Sequence, residues 1–168
     1  MISLKLVCFE DGLDNIGFRK FSAYVKSIHS NTEVAYIPTG NKISLLKTLV
    51  GNEGGEMANA DVDMIAEWLS EAEVIGISSM TQYAGLVHRV IRVIRSLNPK
   101  VLIIWGGIHA IIHPEDAIKH ADIVCTGEGE YAFEELLKRI ENSEDYSDCR
   151  GFWIRGLDGC IKKNMNLP

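Results

Sequence analysis

The chain has 168 residues, 46% of them apolar, which is enough for one domain with a sizeable core and at most a small appendage. A net charge of -6 without any dense Lys/Arg block removes the electrostatic footprint that a nucleic-acid binder needs. No apolar run approaches a membrane span, and Met1 to Lys5 enters a strand without a signal-peptide hydrophobic region, so a cytoplasmic protein with no membrane span is expected.

Ile2 to Cys8 reads as a first strand, closed by the turn Glu10-Asp11-Gly12. Phe18, Phe21, Val25 and Ile28 then recur at helical spacing, with Asp14 or Asn15 as the cap. Thr32 to Ile37 is a second strand. From Asn41 to Asn59 the pattern is least legible: Ile43 to Val50 suits a short helix, and GNEGGEMAN is rich in turn residues. Asp61 is expected to cap a helix through Val62, Ile65 and Leu69, after which Val74 to Ser78 forms strand three.

The helix Tyr83 to Leu97 carries an apolar stripe of Leu86, Val90, Val93 and Leu97, with His88, Arg89, Arg92 and Arg95 on the side assigned to solvent. His29 is likewise assigned to a solvated face. Asn98-Pro99 ends the helix, because the residue before proline avoids helical geometry. Val101 to Trp105 is strand four and runs into Gly106-Gly107. Pro114 opens a short helix over Glu115 to Ile118, with His113 as a cap or solvent residue and His120 at the helix end. Strand five, Asp122 to Thr126, empties into Gly127-Glu128-Gly129-Glu130, and a helix follows through Ala132, Phe133, Leu136, Leu137 and Ile140. Gly151 to Arg155 and Cys160 to Lys163, joined by Gly156-Leu157-Asp158-Gly159, read as a β-hairpin.

Five strands alternating with helices imply an α/β fold with a doubly wound, five-stranded parallel sheet and the hairpin as an annex. In such sheets ligands sit beyond the carboxyl ends of the strands. Three of those ends converge on one composition: Ser78-Ser79-Met80-Thr81, Gly106-Gly107-Ile108-His109, and Gly127-Glu128-Gly129-Glu130. Glycines let a bulky ligand lie against backbone, and hydroxyls and helix-opening amides donate to it. His109 is either a ligand contact or a capping residue, and Trp105, mostly a packing residue, abuts the turn. The four cysteines, Cys8, Cys125, Cys149 and Cys160, form no C-x-x-C pair; Cys8 and Cys125 are expected as buried strand residues.

Ser78-Ser79-Met80, then 25 residues, then Gly106-Gly107 resembles the Ser-x-Leu and Gly-Gly pattern of cobalamin-binding Rossmann-like (flavodoxin-like) domains. The GGIHA turn, the aspartate-led strand, GEGE with Phe133 to Leu137, and the closing hairpin resemble more narrowly the N-terminal domain of cobalamin-dependent radical SAM enzymes, the methyltransferases and the anaerobic magnesium-protoporphyrin ester cyclase among them. The resemblance implies that Ser78 and Ser79 hydrogen-bond the nucleotide tail of cobalamin, that Gly106 and Gly107 admit it, and that Met80 forms an apolar wall. Thr81, Ile108 and His109 fall beside these positions, and Gly12 and Leu13 belong to the first loop at the cofactor. Gly127 and Gly129 set the backbone on the corrin side, where Glu128 or Glu130 places a carboxylate.

Relatives of the methionine-synthase kind carry a cobalt-ligating histidine in the first loop, where this sequence has Asp14. A hard carboxylate replaces imidazole poorly on cobalt, so base-off cobalamin without a histidine ligand is expected. The C-x-x-x-C-x-x-C that holds a 4Fe-4S cluster is absent. The resemblance therefore implies a non-catalytic cofactor-binding domain, residues 1–148, with a hairpin and the start of a linker at 149–168. Its partner is a radical SAM domain of the same polypeptide that supplies the cluster and S-adenosylmethionine for methyl transfer or related radical chemistry. The alternative, a flavodoxin-like or receiver-like electron-transfer or signalling domain, lacks both a phosphate-cradling first loop and the acidic cluster with its lysine. A dinucleotide enzyme lacks its G-x-G-x-x-G.

Overall fold

Every residue of β1 (Leu4–Phe9) is buried, as a strand covered on both faces must be. A computed structural model of the chain describes residues 1–10, 15–39 and 57–165. Within them β1 pairs in parallel with β2 (Thr32–Ile37) on one side and β3 (Val74–Ser79) on the other. β4 (Leu102–Gly106) and β5 (Ile123–Cys125) continue the parallel run, and β6 (Phe152–Arg155) and β7 (Ile161–Lys163) add antiparallel to the β5 edge. The order is β2-β1-β3-β4-β5-β6-β7, a single seven-stranded sheet. The five parallel strands stand as expected, but the hairpin extends the sheet instead of standing apart as an annex.

Strand alternation divides the core. Val7, Phe9, Ile75, Ile77, Ile103, Trp105 and Val124 point to one face. That face is covered by α2 (Asn59–Ser70), α3 (Ala84–Leu97), α4 (Ile108–Ile112) and α5 (Pro114–His120). Leu4, Leu6, Cys8, Ile104, Ile123 and Cys125 point to the other, under α1 (Ile16–Ile28) and α6 (Gly129–Glu141). Lys5 sits among the first set at 4% exposure, its charge met by the Trp68 carbonyl at 2.6 Å and the Glu71 carboxylate at 2.7 Å. Among the described residues no helix is long and apolar enough to cross a membrane.

Local chemistry accounts for the element ends. Asn15 caps α1, its side-chain oxygen accepting from the Phe18 amide at 2.8 Å. Helix α2 starts earlier than expected, with Ala58 as a cap that offers no side-chain bond, and Asp61 lies inside the first turn, where its charge favours the positive end of the dipole. The short α4 follows the double glycine directly and was not foreseen, since IHAII has neither a cap residue nor enough length for a helical period. Cys8, Cys125 and Cys149 are buried free thiols, and Cys160 is exposed.

Asp122, the aspartate that leads β5, holds the sheet together at that edge. Its Oδ2 accepts from the Ile103 amide at 2.8 Å and from the Arg95 guanidinium at 2.6 Å, joining β5, β4 and the end of α3. Asp122→Ala is expected to lower stability by roughly 1.5–3 kcal/mol, the contribution of bonds to a charged acceptor. Urea unfolding with an unchanged m-value measures it; a midpoint equal to the parent's would mean that the edge is held by other bonds.

Candidate functional site

The parallel order β2-β1-β3-β4-β5 reverses direction between β1 and β3, and a cavity of about 550 Å³ opens beyond the carboxyl ends at that switch point. Its floor is strand: Gly76, Ile77 and Ser78 from β3, Ile104 and Gly106 from β4, and Cys125 from β5. Two neighbouring helices line its side: α1, through Ile16, Phe18 and Phe21, and the start of α6, through Gly129, Glu130 and Phe133. Phe21 and Phe133 meet edge to face where these helices touch, with centroids 5.1 Å apart. Glu10 and Asn15 close the β1 end, and Gly107, Ile108 and Ile111 close the β4 end.

Two glycines shape this slot differently. Gly107 has φ 86° and ψ -176°, a backbone conformation essentially confined to glycine, and a Cβ there would lie 2.8 Å from the Ser79 amide nitrogen and 2.9 Å from its carbonyl oxygen. Gly106 has no such crowding. A Cβ on it would meet only the Cys125 Cβ at 3.5 Å and the Ile77 carbonyl at 3.9 Å, so the space beside it belongs to the slot. Gly76, inside β3, lets the Leu6 side chain pass where a Cβ would stand 2.6 Å from it.

The slot is mostly apolar, with carboxylates at its ends. Glu130 pairs with Lys20 at 3.2 Å. Burial pushes the Glu10 carboxyl above its ordinary value of 4.5, against an opposing hydrogen bond from Asn15. Burial likewise lifts the Cys125 thiol to about 11 and the Cys8 thiol beneath the floor to about 12, the charge of Glu10 adding to the latter. Neither sulfur is a nucleophile at neutral pH.

The shift on Glu10 fixes a pH dependence. The folded chain keeps the Glu10 proton at pH values where the unfolded chain has released it, so this group's contribution to stability falls as the pH rises above about 4.5. Glu10→Gln does not titrate and escapes that fall. Its stability relative to the parent is expected to be constant at lower pH, to rise through the carboxylate range, and to level off once the folded-state carboxyl has ionised. Chemical unfolding at a series of pH values reads this, and a flat difference would contradict it.

Of the residues singled out in the sequence, Ser78, Gly106, Gly107, Ile108, Gly127, Gly129 and Glu130 are brought together in the wall of the slot. Ser79 faces the other side of the sheet, wholly buried, its hydroxyl accepting from the Trp105 indole at 3.0 Å. Trp105 is therefore a core residue and does not border the slot. Met80 is 37% exposed, Thr81 opens the 3-10 turn Thr81–Tyr83, and Glu128 precedes α6 without a side-chain capping bond; all three lie outside the wall. His109 is buried on the far face, beside Trp105. Gly12 and Leu13 lie outside the described residues, as does the stretch from Ile43 to Val50. Two histidines differ from expectation. His29 is buried, bonded to Thr32 at 2.9 Å and facing Glu141 at 3.2 Å, and His88 is packed against Trp105 and His120 instead of facing water.

The α1 wall was missed because Phe18 and Phe21 recur with a period that core packing explains equally well. Gly76 offered a signal: a glycine inside an apolar strand run marks a close approach.

A doubly wound sheet with a glycine-lined slot beyond its carboxyl edge at the switch point defines a ligand-binding domain of the flavodoxin-like class. The sequence model of the B12 binding domain family matches residues 31–137, and the chain belongs to that family. It is 29% identical over 115 residues to the cobalamin-dependent radical SAM methyltransferase TokK of Streptomyces tokunonensis, a match covering 65% of this chain and 17% of that protein. The anaerobic magnesium-protoporphyrin IX monomethyl ester cyclase of Synechocystis sp. is 26% identical over 112 residues, 64% of this chain and 22% of that one. The chain thus spans about a fifth of the length of these relatives.

Its fold is that of part of the cobalamin-dependent S-adenosylmethionine radical enzyme OxsB, solved with aqua-cobalamin and S-adenosylmethionine bound: TM-score 0.71 and 18% identity over all of this chain and 22% of that one. The radical S-adenosylmethionine methyltransferase TsrM of Kitasatospora setae, solved with cobalamin and a [4Fe-4S] cluster, superposes with TM-score 0.66 at 15% identity over 99% of this chain and 30% of that one.

Proposed function

We propose that the chain holds cobalamin base-off and without a histidine on cobalt, as the cofactor-binding part of a longer radical SAM protein that performs methyl transfer or related radical chemistry. The observation that carries this is the slot itself, which offers the volume, apolar lining and bare backbone at Gly106 that suit the nucleotide tail of cobalamin. A cavity of about 550 Å³ is of the size that encloses a drug-sized group, so the tail fills it and the corrin lies outside, over the apolar rim of Ile16, Ile108 and Ile111. Each of those three isoleucines is 48% exposed or more, an expense of apolar surface that a large flat ligand or a covering domain would remove from water.

Within this reading Ser78 hydrogen-bonds the tail, Phe18, Phe21 and Phe133 enclose it, and the carboxylates of Glu10 and Glu130 accept from amide N–H groups at the slot's ends. Bound cobalamin supplies a redox-active cobalt, and the chain's part is to bind and orient it and exclude water from its tail. The absence of a histidine ligand is supported by where the five histidines of the sequence stand: His88, His109, His113 and His120 are grouped about α4 and α5 on the far face, and His29 ends α1. The radical SAM partner domain is supported by the relatives, in which the matched stretch makes up only 17% and 22% of the length.

Titration of the chain with hydroxocobalamin, followed by gel filtration, is expected to give one retained cobalamin per chain. Reduction to the cobalt(II) form and electron paramagnetic resonance should then show no superhyperfine splitting from an axial nitrogen. Lack of retention would remove the binding assignment, and a nitrogen triplet would remove the base-off, histidine-free one.

A further inference from the structure

Four of the five histidines of the sequence gather on the face opposite the slot, and two of them are not satisfied there. Among the described residues, the fully buried side-chain nitrogen or oxygen atoms without a hydrogen-bond partner are three: His88 Nε2, His109 Nδ1 and His109 Nε2. Native interiors leave few such atoms, and each calls for an explanation. His109 is the sharper case, a side chain only 4% exposed with neither ring nitrogen bonded.

Asp116 supplies the explanation. Its Oδ2 lies 3.2 Å from His88 Nε2 and 3.3 Å from His109 Nε2, yet neither approach has the alignment of a hydrogen bond. Atoms that are close but not aimed at each other are what a shared point between them requires. In a tetrahedral zinc site with bonds of about 2.0–2.1 Å, neighbouring ligand atoms stand about 3.3 Å apart, which is the spacing of these two pairs. The three ligand atoms lie within 4.8 Å of one another, and closing the widest edge falls to His88, the less buried imidazole.

We propose that His88, His109 and Asp116 form a site for a divalent first-row transition metal, zinc in the first place, with the fourth position left to water on the side where the Asp116 side chain is 39% exposed. Two imidazoles and a carboxylate suit zinc, and exclude the hard-cation alternatives that take oxygen alone. The ligands come from α3, α4 and α5, so the metal ties these three helices to one another. Because Gly107 is the cap of α4, a fixed His109 also fixes the helix that presents Ile108 and Ile111 to the slot.

The test uses the whole chain without a polyhistidine tag, stripped with a chelator and titrated calorimetrically with zinc chloride. One zinc per chain is expected, and cobalt(II) should give the intense visible absorption of a four-coordinate site. Asp116→Asn and His88→Gln should each weaken zinc binding by at least about 100-fold, the upper end of what the loss of even an outer partner costs. His113→Gln, which changes a ring of the same cluster that supplies no ligand atom, should leave zinc affinity close to the parent's. The parent needs no variant for the second readout: zinc should shift the ring ¹⁵N resonances of His88 and His109 and leave that of His29 in place. No stoichiometric binding, binding that survives Asp116→Asn and His88→Gln, or shifts confined to other histidines would each overturn the site.

Discussion

Gly107→Ala is expected to destabilise the chain by roughly 3–5 kcal/mol and abolish cobalamin retention, whereas Gly106→Ala should leave stability within about 0.5 kcal/mol and still impair retention. The two residues are neighbours with the same side chain, and the contrast rests on where a Cβ would go. At position 107 the backbone conformation is nearly closed to other residues, and the added methyl group would press on the Ser79 amide and carbonyl at 2.8 and 2.9 Å, neither of which has a flexible end to yield. At position 106 the methyl group reaches ordinary contact at 3.5 Å and otherwise occupies slot volume. Urea unfolding separates fold from slot, and hydroxocobalamin titration reads the slot alone. Equal stability of the two variants would mean that the Gly107 turn is not built as described; normal binding by Gly106→Ala would mean that the ligand does not lie against Gly106.

The same turn shows what the sequence could and could not disclose. Buried parallel strands are continuous apolar runs, so β1, β3 and β4 are legible without any tertiary knowledge, and a glycine pair after such a run announces close approach. Which residues then face a ligand is a question of parity along the strand. Ser78 and Ser79 are chemically alike and adjacent, but Ser79 shares its side of the sheet with Ile75 and Ile77, and Ser78 lies on the side of Gly76 and the slot. The alternation was present in VIGISS, but only the strand's exact end decides where it stops, and strand ends are the least legible feature of a sequence.

The histidines failed for a different reason. His88 lies opposite the apolar stripe of α3 and reads as solvated by periodicity, yet α5 packs beside α3 and brings Asp116 and His120 against it. His29 ends α1 where a polar residue is ordinary, and only the approach of Glu141, 112 residues away, makes it a buried partner. Both depend on contacts between helices distant in sequence, which no local period encodes. For the same reason Phe18 and Phe21 look like core from the sequence and prove to be one wall of the slot.

Trp105→Ala should lower stability by roughly 3–5 kcal/mol, the cost of emptying a fully buried aromatic site, and Ser79→Ala by roughly 1–3 kcal/mol although it removes a single oxygen. The smaller change is the more informative. Trp105 is wholly enclosed and its indole N–H has the Ser79 hydroxyl as acceptor at 3.0 Å; without it a donor is left buried and unpaired. Trp105→Phe removes that donor and keeps most of the ring, so adding Ser79→Ala to it should cost less than Ser79→Ala alone, with a coupling of at least about 0.5 kcal/mol in the double-mutant cycle. Cobalamin titration completes the case. Ser78→Ala, which strips a hydroxyl from the slot, should weaken binding about tenfold, near the value of one hydrogen bond. Ser79→Ala should leave the affinity of the folded fraction unchanged, because its hydroxyl is engaged by Trp105 on the far side of the sheet. An affinity loss from Ser79→Ala as large as that from Ser78→Ala would place both serines at the ligand and require β3 to end in a different register from the one in which Ser78 pairs with Gly106.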